Sequence, residues 1–304
     1  MIDGLAVVDK PPGMTSHDVV ARCRRLYGQR RVGHAGTLDP DATGILLVGL
    51  GRVTRLLQWV SGMDKRYEAE IVCGVATSTL DEAGEVTGRW DMADVDLEAA
   101  RRAAATLTGA IDQVPPMVSA VKVGGRRLHE LAREGAEVPR AARPVTVWEF
   151  GLDDLPEPSP GPHGGGPVFA ATVHCSSGTY VRVLADDLGR RLGGGAYLRR
   201  LRRTAVGSWT ERDAVPLDRL GVADVLPPAR AVSHLDQVTV DGSLLPKVGH
   251  GRVLDREVLG AAGDGPWAVL DPSGELLAVY EGHGAGRAKP AVVLAVAGEP
   301  GGAR

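Results

Sequence analysis

The chain has 304 residues, 43% of them hydrophobic, and a formal charge of −3, enough to bury one large domain or one large and one small. No run approaches the roughly 20 apolar residues of a membrane span, and MIDGLAVVDKPPG lacks a basic export region, so a soluble, cytoplasmic protein is expected. Cys23, Cys73 and Cys175 stand too far apart for a CxxC metal or redox pair and fit a reducing compartment.

In chain order, GLAVVD at 4–9 reads as a buried strand ended by Lys10-Pro11-Pro12-Gly13. Ser16 is the expected N-cap of a helix with Val19, Val20, Cys23, Leu26 and Tyr27 inward and Gly28 at its end. The other face carries Arg22, Arg24 and Arg25, which with Arg30 and Arg31 make five arginines in ten positions. Such a cluster serves a solvated face or a phosphate-binding one, and the near-neutral total does not exclude the second. Residues 45–50 form a short buried strand. Alternation of Tyr67, Ala69, Ile71, Cys73 and Val75 with Glu68 and Glu70 predicts a strand with one wet face. Asp96 caps a helix running to residue 107, with Leu97, Ala100, Ala104 and Leu107 inward.

Residues 145–152 and 168–175 are two further strands. Between them PEPSPGPHGGGP, 156–167, is proline or glycine at nine of twelve positions and predicts a mobile hairpin loop. SSGTYVRVLADDLGRRLG, 176–193, turns strand into helix, with Val181, Leu184, Ala185, Leu188 and Leu192 as the apolar stripe. Seven arginines fall from Arg182 to Arg203. Past about Pro227 the texture changes. PWAVLDPSGELLAVYEG, 266–282, is a hairpin turning at Pro272-Ser273-Gly274, and KPAVVLAVAG supplies a closing strand. A mixed α+β domain followed by a small all-β module is expected.

The chemistry concentrates in GHAGTLDPDATG, 33–44. Pro40 pushes Asp39 to extended backbone, and Gly33, Gly36 and Gly44 permit tight turns, so one carboxylate stands at the tip of a stiff loop. An isolated Asp-Pro is more often a turn bonded to its own backbone. The loop is neither GxxxxGK[ST] nor GxGxxG, which disfavours a nucleotide cofactor.

Five segments in order resemble the TruB-type tRNA pseudouridine synthases that modify uridine-55. They are DKPPGMTS (9–16), GHAGTLDPDATGILLVGLG (33–51), KRYEAEIVCGVATSTLDEAG (65–84), VPPMVSAVKVGGRRLHELAREG (114–135) and SSGTYVRVLADDLG (176–189). The match spans residues 4 to about 215, and the tail resembles, more weakly, an RNA-binding module of PUA type. The resemblance implies a pseudouridine synthase fold: a mixed, largely antiparallel central sheet flanked by helices, plus the C-terminal β domain. It places the catalytic domain at 1–232, with an RNA-clamping insertion about 112–143 and the flexible loop 156–167, and the PUA-like domain at 236–298. The tail would add affinity and leave the chemistry to the preceding domain.

The implied reaction is isomerisation of a flipped uridine, with no cofactor and no metal. Asp39 matches the catalytic aspartate; an unperturbed Asp, pKa ~3.9, is ionised at neutral pH and serves as nucleophile or base. Tyr67 matches the tyrosine that stacks on the flipped base, Tyr180 a second pocket tyrosine, and Leu201 a pocket wall. Arg182 matches the arginine beside the carboxylate, and Asp81 its acidic partner. His34 matches the histidine that contacts the T loop near the vacated base position. Lys10, Arg24, Arg25, Arg30 and the LAREG segment are expected to face RNA. Val118 departs from the family's usual aromatic in PPxYSAxK, which touches one loop contact only. The expected partner is the T arm of tRNA, with no obligate protein partner and a monomeric chain. The alternatives on the same fold are a guide-dependent synthase and a non-catalytic tRNA-binding or folding module.

Overall fold

The computed structural model describes residues 1–119, 122–123, 126–127, 138–155 and 161–294. Among them the strands are β1 (Gly4–Lys10), β2 (Val32–Ala35), β3 (Thr43–Leu50), β4 (Lys65–Cys73), β5 (Val75–Thr77), β6 (Val86–Arg89), β7 (Gly109–Gln113), β8 (Lys122–Val123), β9 (Arg126–Arg127), β10 (Arg143–Asp154), β11 (Val168–Cys175), β12 (Ala196–Val206), β13 (Trp209–Thr210) and β14 (Val215–Pro216). The tail adds β15 (Asp236–Thr239), β16 (Leu254–Asp255), β17 (Trp267–Leu270), β18 (Leu276–His283) and β19 (Arg287–Val293).

The central sheet runs β14-β1-β3-β12-β4-β11-β10-β7, with β2 on β3 and β13 on β12. It is antiparallel except at β1–β14 and β3–β12. β1 and β3 are buried on both faces, which is why they read as unbroken apolar runs. One face takes the helix Ser16–Leu26 through Val19, Val20 and Cys23. The other shares a core with Val53, Leu56 and Val60 and with the tail. β4 alternates as its sequence requires: Tyr67, Ala69 and Ile71 pack under the helices Leu97–Ala105 and Val181–Arg191, while Arg66 and Glu68 are exposed. The tail sheet runs β15-β17-β18-β19-β16. Among the described residues no helix is long and apolar enough to cross a membrane.

Two local expectations are corrected. Thr15, not Ser16, caps the first helix: its hydroxyl accepts from the Asp18 N–H at 3.1 Å, and Asp18 accepts from the Thr15 N–H at 2.9 Å. Ser16 is drawn away because its hydroxyl serves the backbone of Leu38. Leu26, expected inward, is 46% exposed, since the helix ends there and turns its last residue outward. The 156–167 loop is anchored where it is described. The Cys73 N–H donates to the Pro167 carbonyl, the Gly166 N–H to the Cys73 carbonyl, and Arg89 to the His163 carbonyl. The His163 ring also lies edge-on to Tyr197 at 5.6 Å. Residues 156–160 and the LAREG segment lie outside the described residues, as does much of the 112–143 insertion.

Candidate active site

Asp39 is held on a loop fastened at three points. Ser16 Oγ donates to the Leu38 carbonyl at 3.0 Å and accepts from the Leu38 N–H at 2.9 Å. Lys10 Nζ donates to the Pro40 carbonyl at 2.7 Å, and Arg203 Nη2 to the Gly36 carbonyl at 3.0 Å. Gly36 and Gly44 take left-handed φ of +74° and +97°, and a Cβ on Gly44 would lie 2.2 Å from the Arg203 carbonyl oxygen. The loop therefore admits no side chain at Gly44. It holds the carboxylate in place before any substrate arrives.

The partner of that carboxylate comes from 143 residues further along the chain. Arg182 lies in the first turn of Val181–Arg191, and its side chain is only 4% exposed. Its Nε meets Asp39 Oδ2 at 2.9 Å and its Nη2 donates to Oδ1 at 3.2 Å, a two-pronged pair. Nη1 and Nη2 also donate to the carbonyls of Thr79 and Val118 at 2.9 and 3.0 Å, and Nη1 lies 3.3 Å from Asp81 Oδ2 as an ion pair. A buried guanidinium with every edge occupied cannot swing away without leaving unpaired charge. The helix start is itself fixed: the Gln113 amide donates to the Tyr180 carbonyl and accepts from the Tyr180 N–H. Enclosure raises the Asp39 pKa above its ordinary 3.8, and the Arg182 charge opposes that rise.

Above this pair opens a cavity of about 240 Å³, lined by Asp39, Tyr67, Tyr180, Arg182 and Leu201. All five were singled out in the sequence. A second cavity adjoins it and takes in Asp81, Val118 and Leu201. Tyr67 is buried, so its phenol pKa is raised. Tyr180 and Leu201 are partly exposed.

Other sequence candidates stand elsewhere. His34, on β2, lies edge-on to His17 at 5.3 Å and is not in the cavity wall. Burial lowers its pKa to about 4, so it is neutral at pH 7. Lys10 does not face outward. It is fully buried, and its ammonium donates to the carbonyls of Pro11, Met14 and Pro40. A cation whose three hydrogens are taken up by carbonyls has none left for an RNA phosphate, and burial lowers its pKa to about 8. Arg24, Arg25 and Arg30 are exposed, and Arg24 also donates to the Val32 carbonyl at 3.2 Å.

Two buried cations of the cavity wall escaped the sequence reading. Arg203 is 1% exposed, and Lys65, also buried, donates to the carbonyls of Ser61 and Met63. Lys65 was within reach, because it shares the period-2 face of Tyr67. Arg203 resembled one more solvated arginine in RLRRTAV.

The arrangement sets one fixed, ionisable carboxylate beside two tyrosines and the buried cations Lys65, Arg182 and Arg203 in one small cavity. Residues 24–181 match the TruB family pseudouridylate synthase N-terminal domain, and residues 182–239 the tRNA pseudouridylate synthase B C-terminal domain. A relative from Thermobifida fusca named tRNA pseudouridine synthase B is 46% identical over 97% of this chain and 99% of its own. A namesake from Symbiobacterium thermophilum is 49% identical over 82% of each. Among solved structures, a Cbf5-Nop10-Gar1 complex contains a chain with TM-score 0.68 and 26% identity, over 92% of this chain and 78% of that one. Because these matches cover both the loop of Asp39 and the helix of Arg182, the chain belongs to the TruB family of pseudouridylate synthases and is an isomerase.

Proposed function

We propose that this protein converts uridine-55 in the T loop of tRNA to pseudouridine, acting alone as a cytoplasmic monomer. The observation that carries the reading is the Asp39–Arg182 pair, presented to the same small cavity as Tyr67 and Tyr180. In the reaction C1′–N1 breaks, the base turns, C1′–C5 forms, and the C5 proton is exchanged for one on N1. Atoms and electrons balance with no redox partner. Asp39 is the catalytic carboxylate. Attack on C1′, addition to the ring and removal of a ribose proton all require it ionised; Arg182 favours the charged form and aims it, while Asp81 works against ionisation and serves to hold Arg182.

Extracting the base from its stack costs a few kcal/mol, and stacking on Tyr67 returns about 1–3 kcal/mol. Tyr180 and Leu201 complete the base pocket. His34, neutral and outside it, contacts the T loop near the vacated position. Arg24, Arg25 and Arg30 engage phosphates, and the tail acts as the PUA-like element that adds RNA contacts.

The likeness to Cbf5 keeps a guide-dependent reading in view, in which the isolated chain is inactive. Near-complete coverage of relatives named tRNA pseudouridine synthase B favours action without a guide. Incubating the purified chain with unmodified tRNA transcript and mapping pseudouridine by carbodiimide-dependent reverse-transcription stops separates them. One stop at position 55 is expected. No product from the chain alone would favour the guide-dependent or non-catalytic reading, and product elsewhere would overturn the assigned site.

A further inference from the structure

Arg203 stands at the crossing of the elements that build the cavity. On β12 it lies opposite Tyr67 of β4 and Gly44 of β3, the strand that leaves the Asp39 loop. A bulge between Arg203 and Ala205 breaks the register there, the usual device for re-aiming a strand side chain. The side chain turns into the cavity and is almost wholly buried. Its Nε donates to the Ile45 carbonyl at 2.7 Å and its Nη2 to the Gly36 carbonyl at 3.0 Å. Tyr67, its cross-strand partner, lines the same cavity, and the nearby guanidinium charge opposes the rise that burial causes in the Tyr67 phenol pKa.

Burying a guanidinium among carbonyls, with no carboxylate bonded to it, is costly. Arg203 also crowds Lys65, whose pKa is lowered to about 8 by burial first and by Arg203 second. Core packing would be met more cheaply by an apolar side chain. The arginine fork does what no apolar residue can: one rigid plane ties the loop before Asp39 to the strand after it, from a strand position directly across from Tyr67.

We propose that Arg203 is a positioning residue that locks the Asp39 loop to the stacking face of Tyr67, so that carboxylate and base meet at one fixed separation. The inference rests on the uridine-isomerising reading above. It predicts that Arg203 acts on turnover through Tyr67, and hardly on tRNA binding.

The test uses the full chain, unmodified tRNA transcript, single-turnover pseudouridine formation at saturation, filter binding and thermal melting. Arg203→Lys keeps the charge and loses the fork. It should slow turnover about 10- to 100-fold, the scale of a misplacement near 1 Å. Its tRNA affinity should stay within about threefold of wild type. Arg203→Gln, planar and uncharged, is the second variant and should be slowed at least as much. Combined with Tyr67→Phe, Arg203→Lys should lose less than the product of the two separate losses, because both cut one link. A merely structural residue would lower the melting temperature and show independent losses.

The inference is overturned by turnover near wild type in Arg203→Lys, by a defect confined to affinity, by full additivity with Tyr67→Phe, or by both Arg203 variants failing to fold. If the wild-type chain itself makes no pseudouridine, the uridine-isomerising reading fails. An active wild type beside an unaffected Arg203→Lys sinks only this proposal.

Discussion

Asp39 keeps its carboxylate beside a guanidinium that is itself locked by Asp81, Thr79 and Val118. Asp39→Asn preserves size, and the three tethers of the loop do not involve the carboxylate. We expect a folded protein that binds tRNA about as well as wild type and forms no detectable pseudouridine. Asp41→Asn, on the same loop but exposed and not bonded to Arg182, should stay active within a small factor. Pseudouridine from the Asp39→Asn protein, shown by mass spectrometry to be free of deamidation, would exclude Asp39 as the catalytic group. The pH response follows from the raised pKa of Asp39. Turnover needs the ionised form, so the rate should rise with pH along an acid limb lying above 3.8. The same shift acts oppositely on folding. The native state holds the proton more tightly, so this group's stabilisation is full below pH 3.8 and is lost as pH rises through the raised pKa. A single-turnover pH profile whose acid limb sits at or below 3.8 would contradict the enclosure of Asp39.

At the scale of elements, the first helix and the Asp39 loop are one unit. Thr15 and Asp18 cap the helix, which frees the Ser16 hydroxyl to satisfy both backbone groups of Leu38. Ser16→Ala would leave a buried N–H and a buried carbonyl without partners, a loss of about 1–3 kcal/mol. Denaturant titration should show that loss, and turnover should fall further than tRNA affinity, since the released loop carries Asp39. Unchanged stability would mean that Leu38 finds other partners. Thr15 and Ser16 are both good N-cap residues by type, so position in sequence could not choose between them. The loop packed 22 residues away decided it.

For the whole molecule, the tail is part of the same core. Ala268, Leu270, Leu276, Val279, Val292 and Leu294 pack with Val53, Leu56 and Val60, and Arg55 donates to the Val293 carbonyl at 2.8 Å. The 53–63 segment leads directly into Ser61 and Lys65 of the cavity wall. The tail, expected to serve affinity, also has a structural part in this core. Each buried valine or leucine stripped of cover costs about 1.5–3 kcal/mol. Deleting residues from 236 onward should lower the melting temperature and reduce single-turnover rate as well as binding. A truncated chain that melts with the full chain and turns over normally at saturating tRNA would show the shared core to be dispensable.

Local patterns by themselves determined the strands with one wet face, the helix stripe of Leu184, Ala185 and Leu188, and the stiff loop presenting Asp39, because periodicity, proline and glycine act over a few residues. The ordered motifs also named Tyr67, Tyr180, Arg182 and Leu201, which the fold gathers around one cavity. The tertiary structure alone decided the fate of charge. Lys10, Arg182 and Arg203 are buried while Arg24, Arg25 and Arg30 are not, yet all six are cations in ordinary polar contexts. A cation is buried only where carbonyls or carboxylates converge on it, and here they come from residues as far as 167 positions away. Which strands lie side by side settles that convergence, and no window of sequence contains it.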